Sequence, residues 1–174
     1  MKTKENYLKF LGTAGARFVM IKQLRSSGGI WISYQGTNLI IDPGPGSIAR
    51  CALSKPKIDP TTLDGIILTH RHLDHSNDVN VMIEAMTEGG FKKRGTVFLP
   101  ADAMDEEPVI LKHLRPVVGS IEILAEKKHY QIGGIKFSVP AQQRHPVATY
   151  GLLFDFGFSL SLVSDTKYFA GLEE

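Results

Sequence analysis

The chain contains a single cysteine, Cys51. No internal disulfide can form, so a disulfide-stapled fold is excluded. A structural zinc site built on thiolates is excluded by the same count. A reducing, cytoplasmic setting is expected. Cys51 itself, flanked by alanines and Leu53, reads as a half-buried structural thiol, because no partner base lies nearby. No apolar run approaches the length needed to span a bilayer. The charged stretch from Met1 to Lys9 lacks the apolar core of a signal peptide. Net charge is also scarce: 20 Lys and Arg against 18 Asp and Glu leave +2. That balance gives no bulk electrostatic argument for nucleic acid, and Lys92-Lys93-Arg94 reads as a solvated loop. Repeats and low-complexity stretches are absent.

What is present fits one folded domain over residues 1–174, with 43% hydrophobic residues to fill a core. Strand patterns recur at Tyr7–Leu11, Phe18–Leu24, Ile30–Tyr34, Asn38–Ile41, Leu63–Leu68 and Thr96–Leu99. They return at Ile121–Leu124, Tyr130–Ile132, Ile135–Val139, Tyr150–Phe156 and Phe158–Val163. Glycine turns mark Gly12–Ala16, Gly36, Gly133-Gly134 and Gly157. Helices are expected at Ser47–Ser54, within Glu106–Leu114, and after Ser76-Asn77, where Val79, Met82, Ile83 and Met86 fall at helical spacing. The two methionines are read as core filling. The class is therefore mixed α and β.

The dense stretch is Thr69-His70-Arg71-His72-Leu73-Asp74-His75, which holds three of the six histidines. In an extended segment alternate residues share a face, so His70 and His72 can converge on one ion. As the chain curls toward a helix, Asp74 and His75 can face a second. Imidazole and carboxylate donors without thiolate suit zinc, manganese or iron in a catalytic site. Further ligands are sought at later strand ends, where His145 and Asp165 lie. His113 and His129 read as ordinary histidines. Asp42, at a strand end before Pro43 and Gly44, either caps its own turn or orients a ligand histidine.

The histidine stretch resembles the signature of the metallo-β-lactamase superfamily. Asp42-Pro43-Gly44 is similar to the family's first motif, His145 to its third, and Ser164-Asp165-Thr166 to its aspartate motif. The resemblance implies an α/β fold of the αββα sandwich type with two divalent metal ions, zinc foremost. It implies one metal on His70, His72 and His145, the other on Asp74 and His75, and Asp165 between them. A metal-bridging hydroxide is the implied nucleophile, oriented by Asp74 as catalytic residue.

The family's final metal-binding histidine has no counterpart after His145. The chain is therefore expected to be a piece of a longer protein, lacking part of the second half. Such a sandwich is expected to expose apolar sheet surface and to pair with another copy. Phe10–Ala16, His145 with Tyr150-Gly151, and Ser164–Thr166 are similar to the ribonuclease Z and phosphodiesterase branch. The short span from His145 to Asp165 leaves no room for that branch's tRNA-gripping insertion. The expected function is hydrolysis of a small or short nucleotide phosphodiester or related ester, with no membrane partner and no strong nucleic-acid patch. A di-iron redox protein and a non-catalytic metal-binding module are the alternatives.

Overall fold

The computed structural model describes residues 5–15 and 17–172. The start of the charged amino-terminal stretch at Met1, Ala16 of the glycine turn, and the terminal Glu174 lie outside them. Among the described residues ten strands form two sheets: β1 (Tyr7–Phe10), β2 (Ile30–Tyr34), β3 (Thr37–Ile41), β4 (Gly65–Ile67), β5 (Arg94–Leu99) and β6 (Val118–Ile123), then β7 (His129–Ile132), β8 (Ile135–Ser138), β9 (Leu152–Asp155) and β10 (Ser159–Leu162). The first sheet has the order β1-β2-β3-β4-β5-β6 and the second β10-β9-β8-β7. Helices are α1 (Arg17–Ile21), α2 (Ser47–Leu53), α3 (Leu73–Ser76) and α4 (Val79–Met86).

In the first sheet β1, β2 and β3 are antiparallel, whereas β3, β4, β5 and β6 run parallel. Leu39–Ile41, Ile66–Leu68 and Val97–Leu99 of the inner parallel strands are buried on both faces and read as apolar runs, whereas β6 at the sheet edge is largely exposed. Ile40, Ile66, Val97 and Leu99 face α2 and α4, where they meet Cys51, Val79, Met82, Ile83 and Met86. Leu39, Ile41, Ile67 and Phe98 face the second sheet and meet Tyr130, Ile135, Phe137, Leu152 and Phe154. Helix, sheet and sheet are thus three of the four layers of an αββα sandwich. No helix of the described residues is long and apolar enough to cross a membrane.

The outer face of the second sheet differs from the expected apolar surface. His129, Gln131, Lys136, Asp155, Ser159 and Ser161 point outward and are exposed. Alternation turns Leu152, Phe154, Leu160 and Leu162 inward and leaves half-buried Leu153 on the outer face, which is otherwise polar.

Two elements depart from the sequence reading. Phe18–Leu24 is not a strand but α1 and its turn, closed by Lys22 N–H to Phe18 O and Leu24 N–H to Val19 O. Phe18, Ile21 and Leu24 are all exposed, so no core face imposes the period-two pattern. Glu106–Leu114 is not a helix. Pro108 lacks a donor, and Asn80 of α4 captures the backbone instead, donating to Val109 O and accepting from Leu111 N–H. Ser76, expected to start the long helix, lies inside α3, and the residue before α4 is Asp78. Cys51 is fully buried rather than half-buried. Burial, with Asp78 adding to it, pushes its thiol up to about 11, as suits an inert core residue.

Candidate metal centre

Parallel strands end together, and the carboxyl ends of β3, β4 and β5 deliver Asp42, the Thr69–His75 loop and Asp102 to one edge of the sheet. Asp42 has a left-handed backbone, φ 48°, which Asp tolerates better than most residues. Gly44 follows it against the histidine loop. A side chain there would place its Cβ 2.1 Å from the Asp74 carbonyl oxygen, so only glycine permits this approach. Asp78 N–H then donates to Pro43 O at 2.9 Å, locking the two loops together.

The histidines converge as the spacing suggests. Ligand atoms of His70, His72 and His145 lie within 4.8 Å of one another, and so do those of His70, His75 and Asp165. His70 is common to both groups. Asp165 Oδ1 is 3.7 Å from His75 Nε2, and Asp74 Oδ2 is 3.8 Å from the same nitrogen. Asp74 therefore borders the second group without completing either triad. His113 and His129 are exposed and belong to neither group, as expected.

Proton counting around Thr69 shows which nitrogens face inward. Thr69 N–H donates to Asp42 Oδ1 at 2.7 Å, and Thr69 Oγ1 lies 2.7 Å from Asp42 Oδ2. An ionised carboxylate only accepts, so the single Thr69 hydroxyl proton goes to Asp42. Ser164 Oγ, 2.7 Å from Thr69 Oγ1, must then be a donor to it. So must His70 Nδ1, at 3.1 Å. This leaves His70 Nε2 with its lone pair, buried and without a hydrogen-bond partner among the described residues. His75 Nδ1 likewise donates to Asp42 Oδ2 at 3.0 Å, turning its Nε2 toward Asp74 and Asp165. Of the two sequence readings of Asp42, the carboxylate holds a candidate ligand histidine, while its own turn is closed by the backbone, Gly44 N–H donating to Asp42 O.

The residues fit a metal ion. A buried imidazole nitrogen with no partner is costly unless a cation takes it. His145 Nε2 and His72 Nδ1 stand 3.1 Å apart. Two nitrogens on one tetrahedral zinc, each about 2.0–2.1 Å from it, would be roughly 3.3 Å apart. Thr69 and Ser164 are the residues that the ligand pattern overlooks. Hydroxyls next to metal ligands are a weak signal in sequence, and only the fold shows them sharing one network.

The electrostatics divide buried His70 from half-buried His75. Burial and the neighbouring His75 push His70 down to about 4, against the opposing pull of Asp42 and Asp165. Burial also acts to lower His75, but its hydrogen bond to Asp42 and the charges of Asp42, Asp74 and Asp165 prevail and raise it to about 9. For the metal-free protein, the His75 contribution to stability is full below about pH 6.5 and is lost as pH rises through 9. His70 stays neutral when folded, so its contribution is full above about pH 6.5 and is lost as pH falls toward 4. Stability of the metal-free form should therefore peak near pH 6.5 where these groups dominate, checked by thermal denaturation across pH 4–9. Metal must displace the His75 proton, so its affinity should rise from pH 6.5 to 9 with proton release on binding.

Comparison with known proteins agrees with this geometry. The family model described as "Beta-lactamase superfamily domain" matches residues 37–174. The chain is 30% identical over 177 aligned residues to the uncharacterized protein MJ1374 of Methanocaldococcus jannaschii, covering 95% of this chain and 63% of that one. It is 28% identical over 152 residues to ribonuclease Z of Kineococcus radiotolerans, covering 83% of this chain and 46% of the enzyme. The chain thus spans about half to two thirds of the length of these relatives. Among solved structures, the metallo-β-lactamase fold protein YhfI from Bacillus subtilis superposes with a TM-score of 0.67 at 19% identity, over 83% of this chain and 57% of that one. With its histidine loop at the ends of parallel strands and a family match over most of its length, the chain belongs to the metallo-β-lactamase superfamily.

Proposed function

We propose that the protein is a metal-dependent hydrolase of a small phosphodiester or related ester, with two divalent ions, zinc foremost. The observation that carries the reading is the pair of ligand groups sharing His70. Bound ions would supply an activated water and neutralise charge developing on the ester. His70, His72 and His145 would hold one ion, and His75 with Asp165 and Asp74 the other. Asp42 keeps His75 oriented through a 3.0 Å hydrogen bond. Asp74 and Asp165 line a groove of about 330 Å³ together with Gly12, Thr13 and Gly29. Asp74 is placed there to accept or return a proton. Such a volume is at the small end for ligand sites, which favours a small or short nucleotide ester over a polymer. The likeness to ribonuclease Z supports a phosphodiester, while the short span between His145 and Asp165 argues against tRNA.

The test is metal analysis combined with hydrolysis of bis-p-nitrophenyl phosphate. Turnover should disappear on chelation and return with zinc or manganese. A protein that takes up no metal, or whose turnover is unaffected by a chelator, overturns the reading. Oxygen-dependent colour from bound iron without ester hydrolysis would replace it with redox chemistry, and bound metal with no reaction on any ester would leave a binding module.

A further inference from the structure

The loop that carries His145 is a closed turn. Gln143 N–H donates to Thr149 O at 2.8 Å, and His145 lies on the arc between them. Its near limb is tied to the segment that carries Asp165: Arg144 N–H donates to Thr166 Oγ1 at 3.0 Å, and Lys167 N–H to Arg144 O at 2.9 Å. Its far limb is held by Asp102, which follows β5 in a short 3-10 turn and belongs to none of the ligand groups. Asp102 Oδ2 accepts from Ala148 N–H at 3.1 Å. The same oxygen lies 3.8 Å from Arg71 Nε, and Arg71 sits between His70 and His72. The other carboxylate oxygen, Oδ1, is buried with no hydrogen-bond partner among the described residues.

We propose that Asp102 is a positioning residue for the three-histidine site, a latch that sets His145 against His70 and His72. This rests on reading the histidine cluster as a metal centre. The physical case is one of rigidity. His70 and His72 follow a central strand and are fixed by the sheet, whereas His145 arrives on a loop from the second sheet. A loop limb free to move by an ångström would not hold its imidazole at ligand distance. One charge-assisted hydrogen bond from an acceptor anchored on β5, the strand adjacent to β4, removes that freedom. The ion pair to Arg71 is long and partly exposed, with side-chain exposures of 35% and 26%, so it contributes little alone. Its use is directional, because it keeps Oδ2 turned toward both loops.

The experiment measures zinc affinity by chelator competition and records the visible spectrum of the cobalt-substituted protein. Asp102→Ala should weaken binding at the three-histidine site about 10–100-fold, change the cobalt spectrum, and leave the affinity of the His75–Asp165 site unaltered. Asp102→Asn keeps an acceptor at the same place and should bind near the unaltered level. Asp102→Glu keeps the charge and misplaces the acceptor by a methylene. It should lose affinity, and it serves where the alanine variant fails to fold. If the alanine and glutamate variants fold and bind metal like the unaltered protein, with the same cobalt spectrum, the latch is refuted, even if their melting temperature falls. Loss of binding in Asp102→Asn equal to that in Asp102→Ala would refute the hydrogen-bond account. An unaltered protein that binds no metal overturns the metal-centre reading instead, so the two failures are distinguishable.

Discussion

His70→Ala should empty the three-histidine group and leave the His75–Asp165 group, with Asp74 beside it, to hold its own ion. His70 is the residue common to the two clusters, and its Nε2 is the buried nitrogen with no other partner among the described residues. That one free lone pair can serve one ion, so its removal leaves His72 with His145, a pair too few to hold that ion tightly. Loss of a supporting partner beyond the ligands already costs about 10–100-fold in metal affinity, so loss of this ligand should exceed about 100-fold. Turnover of a phosphodiester should fall by at least about a thousandfold, because even one lost electrostatic donor in an active site costs about 10²–10³. Metal content per chain checks this: it should fall by the share of the three-histidine group, with retention at the His75–Asp165 group. Unchanged metal content would show that His70 is not a ligand. Circular dichroism separates either result from unfolding.

The largest stability effect should come from Phe98→Ala. Phe98 sits on β5, fully buried, and faces the second sheet. Its ring meets Tyr130 edge-on at 5.7 Å and Phe137 edge-on at 5.1 Å, while Tyr130 and Phe137 stack on each other at 5.1 Å. Tyr130 is further fixed by its hydroxyl, which donates to Ile123 O and accepts from Ala125 N–H. These rings are pinned between two sheets, so they cannot collapse into the space that an alanine leaves. The cost should therefore be about 3–5 kcal/mol. For a chain of this size that lowers the melting temperature by roughly 6–20 °C. A change of only a degree or two in thermal denaturation would mean that the intersheet core repacks, contrary to the pinned geometry.

Much of the fold is legible because burial leaves a pattern. Leu39–Ile41, Ile66–Leu68 and Val97–Leu99 are read directly, since stretches covered on both faces must be apolar at every position. The helix at Val79–Met86 is read from its spacing, and Met82 and Met86 are core residues as that spacing implies. The misread segments share a cause. Phe18–Leu24 has apolar residues on the surface, and Glu106–Leu114 takes its conformation from the Asn80 side chain, which is distant in sequence. In neither does a local core face dictate the period.

The site divides in the same way. His70, His72, Asp74 and His75 stand within six residues, so the chain declares this part of its metal chemistry without help from the fold. His145 and Asp165 stand out only as ligand-type residues at strand ends. That they meet His70 follows from two sheets closing on each other, a contact between residues far apart in the chain. Which nitrogen of His70 faces inward is decided by the Thr69 hydroxyl, whose single proton is committed to Asp42. The role of Asp102 depends wholly on the parallel neighbour relation of β4 and β5. The sequence by itself determined the donor types, because side-chain chemistry is local. Tertiary structure alone decided the grouping, the tautomer and the latch, because each depends on hydrogen bonds and distances between segments that only folding brings together.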